Sequence, residues 1–216
     1  MNVAKFSLKD CGHVCAHFDR SVKPGHYTNQ NIDPCKTKNN YNLCKAYRHS
    51  QVKYIKEKLE EIPHTKRKDL VCMCSVVLNA PDSLPQELHT EFFHKAYNFL
   101  VARYGTIAGF EDPEDVVISC YRHLDETTDH IHFAFLPVIQ SASGSQRFCA
   151  KEVICRDDLK TLHQDLECYL REHGIRADIL NGKTQKDSFG RALSVREMKY
   201  RDRKLNRDRS IERSRF

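Results

Sequence analysis

The chain has 216 residues, 40% of them hydrophobic, enough for one folded domain with a core and an appendage. No stretch approaches the roughly 20 apolar residues of a membrane-spanning helix, and the N-terminus lacks the apolar run of a secretory signal, so a cytoplasmic protein is expected. The net charge of +6 is local: residues 191–216 hold ten Lys/Arg against four Asp/Glu, while the rest of the chain holds twenty-five of each, which excludes an evenly basic body and leaves a nucleic-acid-attracting tail or a solvated charged helix.

Residues 2–8 predict an opening strand. Residues 10–40 are polar, carry Pro24, Gly25 and Pro34, and read as a long loop with one helical turn around His17. A charged helix is expected over 42–60, ending before Pro63. Residues 70–78 form a near-continuous β-favouring run and predict a buried strand. After Pro81 and Asp82, the positions of Leu88, Phe92, Ala96 and Phe99 follow helical spacing, with a stop near Gly105. Two strands follow, 115–125 and 130–138, separated by the four-residue turn Glu126-Thr127-Thr128-Asp129. Ser143-Gly144-Ser145 marks a further loop. Asp157 and Asp158 open a helix with Leu159, Leu162, Leu166 and Tyr169 on one face and an end at Gly174. Asn181-Gly182-Lys183 is a turn, and the tail after Gly190 has no proline or glycine to stop a helix. Interspersed helices and strands with an antiparallel hairpin predict an α+β fold. The expected organisation is a domain over 1–188 and a basic helical extension over 189–216. The ten cysteines form no Cys-x-x-Cys pair and sit in hydrophobic contexts, so they read as reduced thiols.

The sharpest signal is His123-x-Asp125-Glu126-x-x-x-His130-x-His132. His130 and His132 share one face of a strand, because side chains alternate with period two. Ile131, Phe133 and Phe135 then point to the other face. With a four-residue turn, Asp125 would oppose His130 and His123 would oppose His132, and opposed residues share a face. Three imidazoles with a carboxylate nearby describe an open catalytic site for a divalent ion better than a closed structural one. Imidazoles suit manganese, zinc, nickel or iron, so the residues by themselves leave the ion open.

The segment from Tyr121 to Pro137 resembles the His-x-Asp-Glu-x-Thr-Pro-His-x-His motif of the MobV (Mob/Pre) plasmid mobilisation relaxases, which are His-hydrophobic-His endonucleases. Three N-terminal stretches are also similar to the family: His17-Phe18-Asp19-Arg20, Asn31-Ile32-Asp33 and Asn40-Tyr41-Asn42-Leu43. The resemblance runs from about residue 1 to 182. It implies a central antiparallel sheet of about five strands with helices packed on it. It also implies a site- and strand-specific relaxase that nicks and rejoins one strand at an origin of transfer. Metal binding then falls to His123, His130 and His132, with manganese as the first expectation and magnesium or zinc as alternatives, and covalent attack to His17. Glu126, or Asp125 in second place, would orient His17 or hold a metal ligand, and Arg20 would contact a phosphate or pair with a carboxylate. The implied partners are the single strand and hairpin of the origin, with a conjugative coupling protein as a further one. The family usually continues into a longer coiled segment, so the chain is expected to correspond to the relaxase domain of a longer protein.

Two departures stand out. Phe18-Asp19 replaces Asn-Glu after His17, and Asp129 stands where the family has proline, a change expected to affect only the turn. Residues 23–31, with Tyr27, and 36–40 could line a DNA path, with Lys36 and Tyr41 as contacts. Arg196, Arg201, Arg203 and Lys204 would bind phosphates from the tail. The alternatives are a rolling-circle initiator attacking through tyrosine, for which Tyr169 is the candidate, a nuclease attacking with water, and a repressor that keeps the fold without nicking.

Overall fold

The computed structural model describes residues 1–21, 32–46, 48 and 50–179. The boundary expected at 188/189, the 181–183 turn, the basic extension with Arg196, Arg201, Arg203 and Lys204, and the 23–31 segment with Tyr27 lie outside them. In chain order the elements are β1 (Asn2–Ser7), α1 (Leu8–Phe18), β2 (Tyr41–Asn42), α2 (Gln51–Glu61), β3 (Val71–Asn79), α3 (His89–Ala108), β4 (Val117–His123), β5 (His130–Phe135), β6 (Val138–Gln140), β7 (Gln146–Phe148), α4 (Ala150–Val153) and α5 (Arg156–Glu172). Five strands form one sheet in the order β1-β3-β5-β4-β2, every neighbouring pair antiparallel. The histidine-bearing strands β4 and β5 therefore sit inside the sheet, with β2 as a short edge beside β4. This is the α+β architecture expected.

Period-two alternation divides the sheet into two faces. Ile131, Phe133 and Phe135 face α3, where Tyr104 stacks on Phe135 at 4.1 Å and Tyr97 meets Phe133 edge-on at 6.1 Å. Phe92, Phe93, Tyr97 and Tyr104 are at most 1% exposed, and each side chain contributes roughly 1.5–3 kcal/mol by burial. Behind α3 lies α5, which buries Leu162, Leu166 and Leu170 and is tied to it by Arg103 bridging Asp158 and Asp165. Leu159, expected on that stripe, is exposed. The opposite face carries His130 and His132 and is covered by α1 and α2. Phe18 of α1 lies 4.6 Å from His132, and Gln51 of α2 bonds Ser119 of β4 and the Cys15 carbonyl.

Three elements differ from expectation. The region around His17 is a helix of eleven residues, not one turn. Ser7 and Asp10 form a capping box, and Cys11, Val14, Cys15 and Phe18 make a buried stripe at i, i+3, i+4 and i+7. The next helix starts at Gln51, where Ser50 accepts a hydrogen bond from the Lys53 amide, and Tyr41–Asn42 pairs with β4 instead. α3 runs past Gly105 to Gly109, whose φ of 65° provides the left-handed cap. Gly105 is needed inside the helix because a Cβ there would lie 2.6 Å from Pro113. All ten cysteines are free thiols. Among the described residues, no helix is long and apolar enough to cross a membrane.

Candidate active site

The β4–β5 hairpin sets the site. Its register pairs His123 with His130 and Tyr121 with His132, two residues away from the expected pairing. An even shift leaves every side chain on its original face, so the three imidazoles still converge. The ring centroids of His123 lie 5.1 Å from His130 and 4.6 Å from His132, and those of His130 and His132 are 4.8 Å apart. The connection is consequently six residues, Leu124 to Asp129, and Asp125 belongs to that loop instead of opposing His130.

The loop is tied down by a segment distant in sequence. The Asp33 amide donates to the Asp125 carbonyl, the Leu124 amide donates to Asn40 Oδ1, and Thr37 Oγ1 donates to Asp125 Oδ2. Asn40 belongs to a stretch marked by the resemblance, whereas nothing in the sequence singled out Thr37. Lys36 lies in this segment and is 62% exposed, with Asp33 3.6 Å away. Tyr41 is not brought to the histidines: it sits on the opposite face, where its hydroxyl accepts from Arg122.

His17 joins the cluster from the end of α1. Its ring lies 5.3 Å from His132 and 5.6 Å from His123, and it is only half-buried. Arg20, three residues on, holds a left-handed φ of 57°, a conformation that costs a non-glycine residue roughly 1–2 kcal/mol. That turn aims the guanidinium back into the cluster. Nε donates to Asp125 Oδ2 and Nη1 to His17 Nδ1 and the His17 carbonyl, while the two N–H groups of Nη2 are shared among Asp125 Oδ1, Glu126 Oε1 and His123 Nδ1, all between 2.6 and 3.2 Å. A guanidinium has no acceptor, so Nδ1 of His17 carries the lone pair. Arg20 thus links the two carboxylates to His17 and His123.

The electrostatics separate the groups into neutral rings and ionised acids. Burial, then the Arg20 charge, lowers the His17 pKa to about 4. Burial also lowers His130, and it lowers His132 still further with help from His123. Burial alone would raise Asp125, but hydrogen bonds from Arg20 and Thr37 outweigh it and hold the carboxyl well below its usual range. Glu126 follows the same balance, with His123 and Arg20 bringing it down to about 2. At neutral pH His17, His130 and His132 present uncharged rings beside two carboxylates.

Those donors suit a divalent cation. His130 Nδ1 donates to the Thr128 carbonyl, so the Nε2 of its neutral ring bears a lone pair, 3.0 Å from His132 Nε2. Two ligand nitrogens each about 2.1 Å from an ion and at right angles stand about 3 Å apart. The buried Nδ1 of His132 has no hydrogen-bond partner. Ligand atoms of His17, His123 and His132, and likewise of His123, Glu126 and His130, lie within 4.8 Å of one another. His123 is the member already engaged at both nitrogens, since Nε2 donates to the Phe18 carbonyl at 2.8 Å. Tyr169 belongs elsewhere: it lies on α5, behind α3, against Phe99 and His173.

The Mob_Pre family model, described as plasmid recombination enzyme, matches residues 1–193. The chain belongs to the Mob_Pre family. A Mob_Pre relative from Bacillus thuringiensis, a plasmid recombination enzyme, is 27% identical over 202 residues, covering 91% of this chain and 42% of its own length. One from Streptococcus agalactiae is 25% identical, covering 90% of this chain and 39% of its own. The chain therefore spans about two fifths of the length of these relatives. Among solved structures, the manganese-bound MobM relaxase domain in complex with plasmid pMV158 oriT DNA superposes with a TM-score of 0.70. It is 24% identical, with 92% of this chain and 96% of that chain covered, and this likeness establishes the Mob_Pre fold.

Proposed function

We propose that the chain is a DNA-nicking relaxase that attacks one strand with His17 and rejoins it by reversing the same step. The observation that carries the reading is the junction of His17 with the three-histidine cluster, with Arg20 connecting them. Membership of a family of plasmid recombination enzymes and the oriT DNA bound to the MobM relaxase domain support it. The substrate would be the single strand and hairpin of an origin of transfer, with a coupling protein as a further partner in conjugation.

His123, His130 and His132 would hold a divalent ion, manganese by analogy with the MobM complex. When bound, that ion supplies positive charge against a non-bridging phosphate oxygen. The chain's own groups do the rest. A pKa of about 4 keeps the His17 ring neutral, so it retains a lone pair at physiological pH. Attack forms a phosphorus–nitrogen bond and breaks the bond to the 3′ oxygen, which leaves and takes up a proton. The attacking ring becomes cationic, a charge that Glu126 favours, and the ring proton it then gives up to solvent balances the one the 3′ oxygen takes from solvent. Arg20 would exchange part of its fork from His17 to the phosphate. Because the phosphoramidate conserves the bond energy, the 3′ hydroxyl can return and displace His17.

Oligonucleotides tiling the DNA around the chain's own gene, incubated with the protein and Mn2+, test this. One strand cut at a single position is expected. No cleavage in either strand would overturn the relaxase reading, and cleavage persisting in His17→Ala would remove His17 from it. A tyrosine nucleophile finds no comparable support, since Tyr169 lies behind α3.

A further inference from the structure

Behind the histidines, on the α3 face of the sheet, lies a second buried polar cluster centred on Asp129. The substitution of aspartate at this position was expected to affect only the turn, and its contacts go further. Arg122 Nε and Nη2 grip the two Asp129 oxygens at 2.9 and 2.6 Å, and His89 Nδ1 lies 2.9 Å from Oδ2. Arg122 is anchored in turn by donating Nη1 to Tyr41 and Thr90, and it covers the Phe93 ring at 5.0 Å. The side chains of Arg122 and Asp129 are 7% and 15% exposed. The main chain is held as well, because the Ala80 amide donates to the Asp129 carbonyl at 3.0 Å.

These anchors fix the C-terminal end of one peptide plane. The Thr128 carbonyl belongs to the peptide joining Thr128 to Asp129, and it accepts from His130 Nδ1 at 2.7 Å. A carbonyl oxygen only accepts, so Nδ1 must carry the proton and Nε2 of the neutral ring the lone pair. A metal-binding histidine needs its other nitrogen fixed in this way. In a six-residue loop, an unanchored peptide can rotate its carbonyl away and release the ring to the other tautomer.

We propose that Asp129 is a positioning residue: gripped by Arg122, His89 and Ala80, it fixes the Thr128–Asp129 peptide and thereby the His130 tautomer that offers Nε2 to a divalent cation. The proposal rests on the metal reading above, and it concerns this chain's own residues. Arg122 precedes His123 and Asp129 precedes His130, so the clamp on one face also braces the facing pair of histidines on the other.

The test compares wild type with Asp129→Ala and Asp129→Asn, at a temperature where circular dichroism shows each to be folded. Long-range proton–nitrogen spectra of the imidazoles are recorded without metal, and Mn2+ affinity is measured from the free-ion electron paramagnetic resonance signal. Wild type should show His130 as a single Nδ1–H tautomer. The variants should shift toward Nε2–H and bind Mn2+ about tenfold more weakly. An unchanged tautomer and affinity in the folded variants would overturn the proposal, since a merely structural loss moves neither in folded protein. Should Asp129→Ala not fold, Asp129→Asn and His89→Ala, which removes one anchor, carry the same comparison. A wild type that binds no Mn2+ overturns the metal reading, and the tautomer spectra then decide the role of Asp129 by themselves.

Discussion

Arg20→Ala should destabilise the metal-free protein strongly, and Arg20→Gly measurably less. The Arg20 side chain is 3% exposed, Asp125 0% and Glu126 16%. Truncating it leaves two carboxylates without their cation, and breaking a buried pair from one side costs about 3–5 kcal/mol. For a unit of this size, each kcal/mol shifts Tm by roughly 2–4 °C, so a fall of roughly 6–20 °C is expected. Alanine keeps the left-handed φ of 57° and its strain of roughly 1–2 kcal/mol. Glycine relieves that strain but adds roughly 0.5–1 kcal/mol of chain entropy. The glycine variant should therefore be the more stable of the two by roughly 0.5–1 kcal/mol, and adding Asp125→Asn to Arg20→Ala should restore part of the loss. The chain has no tryptophan, so urea unfolding is followed by far-ultraviolet circular dichroism in EDTA. Two variants within 0.5 kcal/mol of wild type, or glycine below alanine, would refute the buried-fork argument.

His130→Ala and His132→Ala should each abolish high-affinity Mn2+ binding and cleavage while leaving DNA affinity within about threefold of wild type; full cleavage in either variant removes the metal assignment. In EDTA, folding stability should fall in two acid windows. His17 and His132 have folded pKa values below their unfolded ones, so stability present above about pH 6.5 is lost as pH falls toward 4. Asp125 and Glu126 are also depressed, so their contribution, full above about pH 4.5, is lost as pH falls further. Unfolding titrations from pH 7 to 3 check this, and a flat profile contradicts it. Deleting residues 191–216, with their excess of six positive charges, should flatten the salt dependence of DNA binding; an unchanged slope takes the tail off the binding surface.

The convergence of the histidines was legible because it depends on parity. His130 and His132 share a face in any strand, and the error of two in the hairpin register left His123 on that face too. Register itself was not legible, because the length of the Leu124–Asp129 connection is set by Asp33, Thr37 and Asn40, residues far away in the chain. The helix α1 was missed although Ser7 and Asp10 already spelled its capping box; its stripe of two cysteines, valine and phenylalanine reads weakly beside the polar run that follows. Of the first turns expected in α2, only Asn42 went to the edge strand, which with two residues has too few side chains to show alternation, and the helix starts at Gln51. Arg122 and Asp129 could not be paired in advance, since which strand residue meets the loop depends on the register. His17 entered the site through resemblance alone, because nothing local links it to a hairpin a hundred residues later.

The central claim, a histidine-linked DNA intermediate, is tested by trapping that intermediate. Wild type and His17→Ala are incubated with Mn2+ and the labelled single strand, then resolved on a denaturing gel before and after mild acid. A protein–DNA adduct that mild acid releases, and that His17→Ala does not form, is the predicted result. An acid-stable adduct that survives His17→Ala, or nicked DNA with no adduct at all, would contradict it.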